Sequence, residues 1–133
     1  MNSFSGHIEQ LETSGDLSLV TVNIGENVLF KSIIIDTPET VNYLELGHPI
    51  DVLFKETEVV ISTEPNPAVS LQNKVNGKIT ALIHGDLLSR VELSTEIGTL
   101  VAIISTNAVQ SLGLIVNMKI TALVKLNEIT LAT

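Results

Sequence analysis

Ser70-Leu71-Gln72-Asn73, then Gly77-Lys78-Ile79-Thr80-Ala81-Leu82, then Ile103-Ile104-Ser105-Thr106-Asn107 punctuate residues 70–107, a stretch the chain has already built once. A shift of 71 positions pairs Gly6 with Gly77, Ile8 with Ile79, Leu11 with Leu82, Leu17 with Leu88, Ser18 with Ser89 and Val20 with Val91. One deletion changes the shift to 70. Ile33 then meets Ile103, Ile34 Ile104, Leu44 Leu114, Ile50 Ile120, Lys55 Lys125, Glu58 Glu128 and Thr63 Thr133. This duplication decides the fold, because whatever unit one copy forms the other forms again.

Each copy reads as five short strands and one helix. In the first, residues 5–13 and 16–24 form a hairpin around Ser14-Gly15-Asp16, and residues 27–36 follow the Gly25-Glu26-Asn27 turn. Thr37-Pro38-Glu39 is a helix start: a hydroxyl cap, proline at the first helical position and an acid in the first turn. That helix runs to about Tyr43, and strands near 49–55 and 57–63 close the unit. The second copy places strands near 76–84, 87–94, 98–105, 118–125 and 128–132, with a helix from Asn107 to Leu112 stopped by Gly113. Between the copies, Glu64-Pro65-Asn66-Pro67-Ala68 has two prolines and no periodicity, as a linker does. The expectation is an all-β chain with one short helix per repeat: two tandem OB-like five-stranded barrels over residues 1–63 and 70–133, joined by 64–69. Units of this size are marginal alone, so the copies should pack on each other or on other chains.

The composition agrees. Hydrophobic residues make up 44% of the 133 but aromatics only 3%, so the core must be Ile, Val and Leu, which suit a pleated surface. Fifteen acidic against seven basic residues leave a net charge of −8, a field that repels nucleic acid and anionic membranes. No cysteine is present, which removes disulfides, thiol nucleophiles and thiolate metal sites and fits a reducing, cytoplasmic setting. The longest apolar run, Leu100-Val101-Ala102-Ile103-Ile104, is far too short to span a bilayer.

Catalysis finds little support. His7, His48 and His84 are scattered, and no phosphate-cradling Gly-x-x-x-x-Gly-Lys-Ser/Thr loop exists. The expectation is a protein that is not an enzyme, with neither catalytic residues nor direct cation ligands. Anion binding fares better. A helix amino terminus offers unpaired N–H groups and partial positive charge, and Ser105-Thr106-Asn107 supplies hydroxyls and an amide beside it. The first copy has Asp36, which repels an anion, and Pro38, which has no N–H to give. Lys55 and Lys125 occupy matched strand ends. For each feature a plainer reading stands beside this one: Ser105 and Thr106 as ordinary caps, the lysines as solvated strand ends, and Ser70-Leu71-Gln72-Asn73 as further linker.

In combination these residues resemble the molbindin (Mop/TOBE) family. Ser70-Leu71-Gln72-Asn73 before Gly77-Lys78-Ile79 is similar to that family's Ser-Ala-Arg-Asn signature followed by Gly-x-Ile/Val, with Gln72 in the place of the arginine. Residues 103–114 resemble its Ile-Ile-Thr-x-x-Ser-Val-x-x-Leu-Gly-Leu segment, with Ala108 in the place of the helix serine. Leu123-Val124-Lys125 and, in the first copy, Leu53-Phe54-Lys55 resemble the end of its fourth strand, and Asn2 aligns with Asn73.

The resemblance implies a cytoplasmic protein that binds molybdate or tungstate at subunit interfaces, for storage or homeostasis, in a homotrimer. Carried over by position, the oxyanion-binding residues are Ser70, Gln72, Asn73, Ser105, Thr106, Asn107, Lys125 and Lys55. The alternative is a regulatory, assembly or sensor-like module that binds no anion and acts through a protein partner, motivated by Gln72, Ala108 and Asp36-Thr37-Pro38.

Overall fold

A computed structural model describes residues 1–133. The chain forms ten strands: β1 (Asn2–Ser14), β2 (Leu17–Asn23), β3 (Leu29–Ile34), β4 (Pro49–Phe54), β5 (Val60–Ser62), β6 (Asn73–His84), β7 (Leu88–Thr95), β8 (Gly98–Ser105), β9 (Lys119–Val124) and β10 (Thr130–Ala132). One α-helix, α1 (Thr106–Leu112), follows β8, and single 3-10 turns at Glu56–Glu58 and Leu126–Glu128 precede β5 and β10.

The duplication survives in detail. β1 and β6 each bend at a bulge, between Ile8 and Gln10 and between Ile79 and Ala81. Just before each bulge the strand bonds to the same loop position: Ile8 N–H donates to His48 C=O at 3.0 Å, and Ile79 N–H to Met118 C=O at 2.9 Å. A bulge sharpens the local twist, so one long strand can serve two directions of its sheet.

The two antiparallel sheets run β10-β4-β1-β2-β3 and β5-β9-β6-β7-β8. Here the structure corrects the expectation that each copy's fifth strand closes its own unit: the fifth strands are exchanged. β10 pairs with β4, Leu131 opposite Val52, and β5 pairs with β9, Ile61 opposite Ala122. Three-residue strands carry too few ladder bonds to be held by their neighbours in sequence, so the side chains beside them decide where they pair. Ile129 and Val59, which enter β10 and β5, are 5% and 3% exposed in a core shared by both copies.

The first copy also lacks its expected helix over 37–43. Only one turn forms, with Val41 N–H reaching Thr37 C=O at 3.1 Å. Thr40 explains the failure, since its hydroxyl donates to Thr37 C=O and accepts from Thr37 N–H at 2.8 Å, competing with the backbone ladder. α1 has better formers, Ala108, Gln110 and Leu112, and both caps. Ser105 Oγ accepts from Ala108 N–H at 3.0 Å, and Gly113 turns left-handed at φ 63° to end the helix. Gly113→Ala is expected to cost about 1 kcal/mol, checked by thermal melting, because alanine resists that φ.

The core is aliphatic apart from Phe4, Phe30 and Phe54, whose rings stack with centroids 5.8–5.9 Å apart in the first copy. Val91, Leu93, Leu100 and Val124, from the second copy, belong to the same continuous core.

Candidate functional site

The structure divides the sequence-predicted residues into two groups. Asn73 opens β6 opposite Val124, the last residue of β9. Gln72 and Lys125 therefore lie one step beyond the same rung, and Ser70 just before them. Ser105 and Thr106 lie at the other end of the sheet, where Ser105 pairs with Leu88 and Thr106 N–H donates to Leu87 C=O at 2.8 Å. β6 spans 12 residues between the two ends, roughly 35–40 Å if straight. The second copy does not bring its own Ser105 to its own Lys125.

Each group instead faces the other copy. The Leu126–Glu128 turn, with Lys125 at its start, packs against β3, whose continuation is Ile35-Asp36-Thr37; the Glu56–Glu58 turn, with Lys55 at its start, packs against β8, whose continuation is Ser105-Thr106-Asn107. Two unlike inter-repeat surfaces result. One joins the strand end carrying Ser70, Gln72 and Lys125 to β3 at Lys31. The other joins the strand end carrying Lys55 to β8 at Val101. Lys55, Ser70, Gln72, Ser105, Asn107 and Lys125 are all exposed.

Several of these polar groups are already engaged. Asn73 is fully buried, and its side-chain amide clasps one residue of β3: Lys31 N–H donates to Asn73 Oδ1 at 2.6 Å, and Asn73 Nδ2 donates to Lys31 C=O at 2.9 Å. Asn2, its partner by repeat, does the same to Val101, with bonds of 2.9 and 2.8 Å. Lys31 and Val101 are themselves matched positions, so the clasp is two-fold symmetric in a chain whose sequence is not. Asn73 thus ties the repeats together with both of its side-chain polar atoms. Thr106 Oγ1 donates to Gly85 C=O at 2.8 Å and shares a 2.8 Å bond with Ser89 Oγ, which pins α1 to the β6–β7 turn. Ser105 Oγ is the helix cap. Of the hydroxyls and amides expected to serve a ligand, Ser70, Gln72 and Asn107 make no side-chain bond within the chain.

Glu58 and Glu128 meet where the two 3-10 turns approach each other, a pairing visible in the repeat alignment but not read there as a contact. The hydrogen bond from the Glu128 carboxyl, then Lys55 N–H at 2.8 Å, holds Glu58 below the usual carboxylate range. That shared hydrogen bond and the Glu58 charge hold Glu128 above it, with Lys125 and Lys55 opposing. A raised carboxyl stabilises the fold while protonated and loses that contribution as pH rises through its folded pKa. Glu128→Gln keeps a donor for Glu58 and removes the repulsion. Its melting temperature is expected to exceed the parent's slightly at neutral pH, and the gain to vanish in acid, where Glu128 is protonated anyway.

No three His, Asp or Glu side chains cluster as a metal site would require. No helix is long and apolar enough to cross a membrane.

With this geometry in view, comparisons with known proteins are informative. Residues 70–131 match the model of the TOBE domain family. The chain carries a TOBE domain. The first copy of the duplication lies outside that match. Among solved structures, the fold of the whole chain matches that of the cytoplasmic molybdate-binding protein ModG, crystallised with molybdate bound, at a TM-score of 0.91 and 19% identity over 99% of this chain and 95% of that one. MopII from Clostridium pasteurianum aligns at 32% identity and TM-score 0.42, and a molybdate-binding protein from Sporomusa ovata at 29% and 0.43. Each covers 44% of this chain and 88% of its own. No curated protein sequence matches significantly.

Proposed function

We propose that the protein binds molybdate or tungstate on the surfaces between its two OB-like repeats, without catalysis, in a storage or homeostatic role. The observation that carries this reading is that the turn following each matched lysine packs on the other copy, the Glu56–Glu58 turn after Lys55 on β8, which leads into Ser105-Thr106-Asn107, and the Leu126–Glu128 turn after Lys125 on β3, which leads into Asp36-Thr37. A tetrahedral dianion needs several donors and a counter-charge, and a lysine supplies both at one point. The fold it shares with ModG, and the molybdate bound there, support the same ligand class. Asp36 lowers the potential at the Lys125 surface, so the Lys55 surface is the stronger of the two. We further propose that three chains assemble in a homotrimer and that neighbouring chains complete the sites.

Isothermal titration with molybdate, tungstate and sulfate tests the ligand, and absence of heat for both metal oxyanions sinks the reading. Lys55→Ala and Lys125→Ala with Ser70→Ala should each weaken binding about tenfold or more, by loss of charge-assisted hydrogen bonds, while melting temperatures hold. Light scattering measures the trimer.

A second reading has its own support. The amide of Asn73 and the hydroxyls of Ser105 and Thr106 are spent on internal bonds, as in an assembly or sensor-like module that acts through a protein partner. Stoichiometric molybdenum in protein purified from molybdate-supplemented cells would exclude it.

A further inference from the structure

Where β9 begins, it places Lys119 directly opposite Lys78 of β6. Like charges on facing strand positions destabilise a sheet, and these are two of only seven basic residues in an acidic chain. Both are exposed and neither has an ion-pair partner, since the two salt bridges present are Met1–Glu56 and Arg90–Glu92. The first sheet avoids the problem at the same register, where His7 faces Pro49. The lysine pair is therefore a property of the second repeat alone.

The two lysines line a cleft of about 560 Å³ together with Thr63, Asn76, Ser94 and Glu96. One wall is the linker, anchored by Thr121, whose hydroxyl donates to Glu64 C=O at 2.7 Å. The Asn76 side-chain amide lies 3.0 Å from the same hydroxyl, which holds it beside the linker. Gly77 lies next on β6, and a Cβ there would come within 3.0 Å of Thr95 Cγ2, so the strands approach closely at this point. The volume suits a small organic molecule rather than a bare oxyanion. Only one of the ten lining residues is hydrophobic and none is aromatic, which provides hydrogen bonds but no stacking face for a nucleobase.

We propose that this cleft binds the phosphate ester of a small polyhydroxylated molecule, a sugar phosphate, with Lys78 and Lys119 on the phosphate and Asn76, Thr63 and Glu96 on the hydroxyls. A dianion between the lysines converts their repulsion into attraction, and a carboxylate opposite them accepts from sugar hydroxyls while disfavouring a second phosphate. The site is separate from the inter-repeat surfaces, so it stands whether or not those bind an oxyanion.

The test is an amide chemical-shift titration of the full chain with glucose-6-phosphate, glucose and inorganic phosphate. Glucose-6-phosphate should move Gly77, Lys78 and Lys119. Inorganic phosphate should bind the same residues about tenfold more weakly, for want of the hydroxyl contacts, and glucose not at all. Lys78→Ala and Lys119→Ala should each weaken glucose-6-phosphate about tenfold or more, whereas Lys125→Ala leaves it unchanged. Both cleft variants should melt at or above the parent temperature, because each removes one of two facing like charges. Absence of shifts in the cleft at millimolar ligand overturns the proposal. So does equal affinity for phosphate and its ester, or unchanged affinity in correctly melting variants.

Discussion

Asn73→Leu is expected to destabilise the protein by about 2–4 kcal/mol, because it keeps the branched shape of a fully buried side chain and strands the Lys31 N–H and C=O that Asn73 clasps. Each backbone group left unpaired beside that buried side chain costs about 1–3 kcal/mol. Chemical denaturation measures the loss, and hydrogen exchange at the Lys31 amide should quicken more than exchange in β7, which lies in the same repeat as Asn73. A loss below about 1 kcal/mol would mean that the clasp does not hold the repeats together.

Removing residues 129–133 is expected to cost about 3–5 kcal/mol, combining the lost burial of Ile129 with an orphaned Ser32 hydroxyl, which donates to Ile129 C=O at 3.0 Å. The location of the damage matters more than its size. Those residues follow β9 in sequence, but β10 pairs with β4, so amides of residues 49–54 should lose protection while β9 keeps its own. Protection lost in β9 instead would show that the strands are not exchanged.

The strands, the turns and the duplication were legible because they depend on short-range chemistry. Alternating Ile and Val, the Gly25-Glu26-Asn27 turn and Ser105 to Gly113 around a helix each act within a few residues. The helix expected at 37–43 failed at the same range: Thr40 was counted as one more residue of a helix, when its hydroxyl competes for the bonds that would extend one. Lys55 and Lys125 were correctly placed at strand ends, and the repeat alignment had already matched Asn2 with Asn73 and Glu58 with Glu128. A matched polar pair inside an aliphatic chain was the signal for both contacts, yet nothing local says what either pair touches.

By itself the sequence determined that the chain is a duplicated, β-rich, acidic protein with a capped helix between Ser105 and Gly113, since propensity, capping and charge are properties of neighbouring residues. Only the tertiary structure decided that the copies trade their fifth strands, that Asn73 spends its amide on Lys31, and that the turn after Lys55 rather than the one after Lys125 packs on β8. These are choices between partners far apart in the chain. Two repeats of one fold offer each such contact in duplicate, and the shared core selects which copy supplies each one.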